Sequence, residues 1–67
     1  MEISSLEMKV LLSSIRFFIE KAEPIGSKAL QKLGGFSCSS ATLRNVMAGL
    51  EEQALLMRPY SSAGRVP

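Results

Sequence analysis

Apolar residues recur in the first third of the chain at Leu6, Val10, Leu11, Ile15, Phe18 and Ile19. Steps of three, four and one keep one side of a helix apolar, so the spacing predicts a helix from Ser4 to about Ala22. Ser4 and Glu7 have the spacing of a capping box, in which the hydroxyl accepts from the amide three residues on and the carboxylate reaches back. Pro24 disfavours helical geometry at Glu23, which sets the end of this helix. A second helix, about two turns long, is predicted from Ser27, read as its N-cap, to Leu33, with Ala29, Leu30 and Leu33 inward. Gly34-Gly35 then supplies a residue able to take positive φ. After the polar run Ser37-Cys38-Ser39-Ser40, the residues Leu43, Val46, Met47 and Leu50 again fall on one face, predicting a third helix from about Ser40 to Gln53. Leu55 to Tyr60 reads as extended, and Ser61-Ser62-Ala63-Gly64 is turn chemistry leading into Arg65-Val66-Pro67. The result is a hairpin whose second strand has barely begun.

Three helices with a short middle one, followed by a hairpin, is the element order of a winged helix-turn-helix, mainly α with a small β-hairpin. Other small three-helix packings share that order up to the hairpin. At 67 residues, 46% of them hydrophobic and 21% charged, the chain is expected to form one domain over 1–67. A core of this size leaves only about 3–5 kcal/mol of net stability. The absence of His, Asp and Trp removes the Ser-His-Asp and Cys-His arrangements and the common metal-ligand sets. Neither an enzyme, nor a metal or other cofactor, nor a small-molecule substrate is expected. Cys38 has no second cysteine to pair with and reads as a small, semi-buried loop residue in a reducing cytoplasm. No apolar run approaches the roughly 18 residues of a membrane span, so a soluble protein without a membrane partner is expected. Phe17, Phe18 and Phe36 are read as core.

Charge changes this picture through its distribution. The overall balance of eight Lys and Arg against six Glu is mild, at +2. Residues 1–23 carry Lys9, Arg16 and Lys21 against Glu2, Glu7, Glu20 and Glu23, a net of −1, whereas residues 24–50 carry Lys28, Lys32 and Arg44 with no acid, a net of +3. The basic excess falls on the second and third helices. At about 100° per residue, Ala41, Asn45 and Ala48 point away from the apolar stripe of the third helix, with Arg44 and Gly49 on its flanks. Small residues let a helix sink into a major groove, Arg can grip guanine O6/N7, Asn can pair with adenine N6/N7, and Ala41 or the Thr42 methyl suits a thymine methyl. Ser39, Ser40 and the first amides of the helix suit a phosphate. Glu51 and Glu52 lie at the far end, where they would repel phosphates if the helix lay flat, which favours docking by its N-terminal half. Arg58, Tyr60, Ser61, Ser62 and Arg65 gather around the hairpin turn, where they suit a phosphate backbone or a minor groove, and equally suit a charged edge that deters strand pairing. Lys28, directly after the Ser27 cap, suits a contact with a nucleic-acid backbone from the second helix. Taken alone, Arg44 and Asn45 also fit an ordinary solvent-facing surface, and Lys28 an ordinary solvated lysine.

Three blocks carry a resemblance: Glu23-Pro24-Ile25-Gly26-Ser27-Lys28-Ala29-Leu30, Ser39-Ser40-Ala41-Thr42-Leu43-Arg44-Asn45-Val46-Met47-Ala48, and Ser61-Ser62-Ala63-Gly64-Arg65-Val66-Pro67. In this order and spacing they resemble the N-terminal winged-helix domain of the bacterial heat-inducible transcription repressor family HrcA. The resemblance implies a cytoplasmic, nucleoid-associated repressor of chaperone operons that binds an inverted-repeat double-stranded DNA operator as a dimer and responds to the GroE chaperonin. It places Ser39 through Asn45 in the recognition helix and Ser61 through Arg65 in the wing. On this reading Ala41, Thr42, Arg44 and Asn45 meet base edges, and Ser27, Lys28, Ser39, Ser40, Arg58, Ser61, Ser62 and Arg65 meet phosphates. The chain departs from the family pattern at Val46, Gly49, Ala54 and Tyr60; the family Gly replaced by Ala54 leaves the third helix expected to run on or unwind gradually. Family members continue past Pro67 into a dimerisation region, so this chain is expected to grip one half-site weakly. The alternative is a winged-helix protein-protein interaction module without DNA binding, with the first helix or Leu55-Leu56-Met57 docking a partner.

Overall fold

The computed structural model describes residues 3–59 and 64–67. Three helices form as the periodicity predicts: α1 (Ser5–Lys21), α2 (Ser27–Gly34) and α3 (Ser40–Glu52). The capping box at the start of α1 is closed in both directions, with Glu7 N–H donating to Ser4 Oγ at 3.1 Å and Ser4 N–H to Glu7 Oε1 at 3.0 Å. The helix ends on Ala22 in the left-handed region, φ 56°, whose N–H closes on the Phe18 carbonyl at 2.8 Å. Helix α2 begins differently from the expectation. Its N-cap is Gly26, Ser27 is its first helical residue, and no side chain among the described residues caps it. The backbone decides this, because Gly26 is extended and its carbonyl already accepts the Leu30 N–H at 2.9 Å. Gly35, at φ 63°, ends α2 as the Gly-Gly pair predicts.

Helix α3 starts on Ser39, whose hydroxyl accepts from Thr42 N–H at 3.2 Å. Its far end is sharper than expected. Ala54 itself adopts the left-handed conformation, φ 62°, and the amides of Leu55 and Leu56 turn back onto the Leu50 carbonyl at 3.0 and 3.4 Å. Burial of Leu56 in the core drives this stop without a glycine.

The core is Val10 from α1, Leu30 from α2, Leu43, Met47 and Leu50 from α3, and Ile25, Phe36 and Leu56 from the connections. Two sequence expectations fail at its edge. Phe18 and Ile19 do not face inward; Ile19 is 77% exposed, and the α1 face that contacts the other helices carries Leu6, Val10, Ser14 and Phe17. Ser14 is fully buried because its hydroxyl donates to the Val10 carbonyl one turn back at 2.8 Å, which removes the cost of an unpaired polar group. Leu33, read as inward, is 69% exposed at the last turn of α2. With apolar residues almost all round α1, periodicity could not tell which side the partners cover. Phe36 and Phe17 do join the core, and Lys9 Nζ lies 4.6 Å from the Phe36 ring centroid.

Behind α3 the chain reverses. Met57 pairs antiparallel with Val66 through hydrogen bonds of 2.7 and 2.8 Å, and Arg65 pairs with Ile25 through bonds of 3.0 and 2.9 Å. Residues 65–66 therefore lie between the base of the hairpin and the segment entering α2. Gly64 permits this approach, since a Cβ there would overlap the Ile25 carbonyl and the Gly26 amide. The turn expected at Ser61-Ser62-Ala63-Gly64, with Tyr60 before it, falls mostly on residues 60–63, outside the described residues.

Candidate nucleic-acid interface

Pairing of Arg65 with Ile25 draws three elements to one side of the molecule. Gly26, Ser27, Lys28 and Ala29 from the start of α2, Arg44 from α3, and Arg58, Gly64 and Arg65 from the hairpin line one open groove of about 430 Å³. Among the described residues, four cations line it and no acid does. Gly26 has no side chain there, and space is open where a Cβ would stand. The amides that begin α2 thus face the groove without a side-chain cap, at the helix end that favours negative charge.

Glu51 shapes the back of this groove. Its Oε1 accepts from Arg65 Nε at 2.8 Å and lies 3.5 Å from Arg58 Nε. Arg65 is the more buried of the two, with 13% of its side chain exposed against 45% for Arg58. Glu51 does lie at the far end of α3, but its charge is engaged by the two arginines. No local pattern announces this contact, because Glu51 and Arg65 are fourteen positions apart and meet only through the Ile25 pairing. Engagement through Nε leaves each guanidinium further N–H donors for an anion.

Along α3 the predicted residues separate into three groups. Ala41 and Asn45 are exposed and Ala48 is half-buried, opposite buried Leu43, Met47 and Leu50. Arg44 is exposed and turned toward α2 and the hairpin, whereas Thr42 lies on the opposite flank with its hydroxyl 3.1 Å from Ser39 Oγ. Ser39 and Thr42 thus spend their hydroxyls on the start of the helix, and Ser40 is half-buried beside them. Ser27 and Lys28 join Arg44, Arg58 and Arg65 at the groove; Ser61 and Ser62 lie outside the described residues. Cys38 is a free, half-buried thiol whose carbonyl accepts from Gln31 Nε2 at 2.8 Å, as befits a loop anchor.

No family model matches the chain. Individual relatives do. The heat-inducible transcription repressor HrcA of Acaryochloris marina is 46% identical over 67 residues, covering the whole of this chain and 18% of the relative. The protein of the same name from Thermodesulfovibrio yellowstonii is 49% identical over 59 residues, 88% of this chain and 17% of the relative. The chain matches an N-terminal HrcA domain. It spans less than a fifth of the length of the HrcA proteins it matches. A crystal structure of a hypothetical protein solved at 2.2 Å has the same fold, with a TM-score of 0.92 and 35% identity over 97% of this chain and 21% of that one. In the HrcA-like blocks of the chain, the first brings Gly26, Ser27 and Lys28 to the groove, the second brings Arg44, and the third brings Gly64 and Arg65. Arg58 lies between the second and third blocks and reaches the groove from the hairpin's first side.

Proposed function

We propose that this chain is a double-stranded DNA-binding module of a heat-shock transcription repressor, reading one half of an inverted-repeat operator. One observation carries the proposal: a groove lined by Lys28, Arg44, Arg58 and Arg65 opens beside the exposed outer strip of α3. Cations at the groove would hold the phosphate backbone, which supplies affinity without sequence information. Ala41 and Asn45 on the outer strip would meet base edges in the major groove, where a small residue allows close approach and a carboxamide can pair with adenine. The names of the HrcA relatives support the repressor role. Dimeric engagement of both operator halves and a response to the GroE chaperonin would be properties of full-length HrcA proteins, of whose length this chain spans less than a fifth.

The experiment is selection of duplexes from a random pool, followed by titration of the enriched duplex at several salt concentrations. Enrichment of a half-site motif, with affinity falling steeply as salt rises, is expected. Failure to enrich, or an affinity insensitive to salt, rejects the proposal.

A second reading has its own observation. Leu12, Ile19 and Leu33 are more than half exposed, more apolar surface on α1 and α2 than a fully covered monomer needs. This fits the use of α1 for protein contacts alongside DNA binding. Light scattering over a concentration series separates the two properties: a strictly monomeric chain that binds duplex counts against it.

A further inference from the structure

Arg44 carries the inference furthest, and it rests on the DNA-binding reading above. From its position on α3, Arg44 has two possible tasks. On the outer strip it would read a base; on the flank it would grip the backbone. Buried Leu43, Met47 and Leu50 fix the orientation of α3. At about 100° per residue, Ala41, Asn45 and Ala48 then form the strip opposite the core, and Arg44 lies to one side of it. That side is the groove it shares with Ser27, Lys28, Arg58 and Arg65.

Charge decides between the tasks. Among the described residues, four cations line the groove and the carboxylate of Glu51 stands behind two of them, so an excess of positive charge remains. A base edge offers only dipoles and leaves that excess uncompensated, whereas a phosphodiester brings a full negative charge and acceptor oxygens. The groove is also open where Gly26 lacks a side chain, beside the first turn of α2.

We infer that Arg44 is a backbone clamp and not a base reader: with Lys28, Arg58 and Arg65 it seats one phosphodiester between α2 and the hairpin. Base discrimination is left to the strip that includes Asn45. Arg44 then sets the depth and register at which that strip meets the bases.

The test uses the duplex enriched by selection and a panel of its single-base-pair variants, titrated with the wild type, Arg44→Ala and Asn45→Ala. Arg44→Ala should weaken binding by a similar factor, about tenfold, for every member of the panel, and should reduce the salt slope by about one phosphate. Asn45→Ala should instead flatten discrimination at one base pair while keeping the slope. A second arm replaces single phosphates with neutral methylphosphonates; one position should remove most of the cost of Arg44→Ala. The inference is overturned if Arg44→Ala erases preference at one base pair with the slope intact, or if no methylphosphonate position couples to it. If the selection enriches nothing, the DNA-binding reading itself fails, which is a different result. Because Arg44 is exposed, circular dichroism should report an unchanged fold for Arg44→Ala.

Discussion

At the scale of single residues, two glycines separate folding from binding. Gly64 is required by close approach, since any Cβ meets the Ile25 backbone. Gly64→Ala should force residues 64–66 away from Ile25 and cost about 1–3 kcal/mol, read by thermal melting. Gly26 faces open space with an ordinary extended backbone, so Gly26→Asp should keep the fold and even cap α2, raising stability by a few tenths of a kcal/mol or leaving it unchanged. The same substitution places a carboxylate in the cationic groove and should lower duplex affinity at least tenfold. Loss of folding in Gly26→Asp, or unchanged binding, would contradict this account. Glu7 gives a pH signature. Its carboxyl is held below the usual carboxylate range, mainly by the Ser4 backbone N–H and then by the Ser4 hydroxyl; desolvation opposes them, and the Gln53 amide adds the smallest lowering. A depressed folded value means that the stabilisation is full above the unfolded carboxylate value of about 4.3 and is lost as pH falls through the folded one. The melting difference between wild type and Glu7→Gln should therefore be constant near neutral pH and close below about pH 4.

Among the elements, what could be read in advance was what local chemistry dictates. The Ser4/Glu7 box, the Gly35 terminator and the Leu43, Met47, Leu50 stripe all act within one or two turns, and each is found. The N-cap of α2 moved from Ser27 to Gly26 because the strand-like pairing of Ile25 holds Gly26 extended, a constraint set forty positions away. The same long-range pairing brought Glu51 to Arg65. Helix α3 ends within a residue of the Gln53 that the apolar stripe predicts; the gradual end expected from the missing family glycine does not occur, because the burial of Leu56 outweighs the preference for glycine at Ala54. Left-handed geometry still carries a cost for alanine, so Ala54→Gly should stabilise the fold by about 0.5–1 kcal/mol, with the gain reduced by the greater freedom of glycine in the unfolded chain. Denaturant titration at constant m-value is the check; a loss of stability would mean that Ala54 is not strained.

The molecule as a whole places its folding and its proposed binding chemistry on different sides. Val10, Ser14 and Leu30 bind the helices together, whereas the outer strip of α3 and the cationic groove remain open. Charge blocks in the sequence pointed to the second and third helices, and the structure adds the hairpin arginines to the same groove. No helix among the described residues is long and apolar enough to cross a membrane. Leu33 and Ile19 lie outside both the core and the groove, so Ile19→Lys should leave melting within about 0.5 kcal/mol of wild type and duplex affinity unchanged or slightly raised.

The most direct measurement for the DNA-binding account is the affinity of the chain for its selected half-site duplex as a function of salt. It should fall linearly on logarithmic axes, with a slope of several phosphates and a clear preference over a scrambled duplex of equal length. An affinity that ignores both salt and sequence would contradict it.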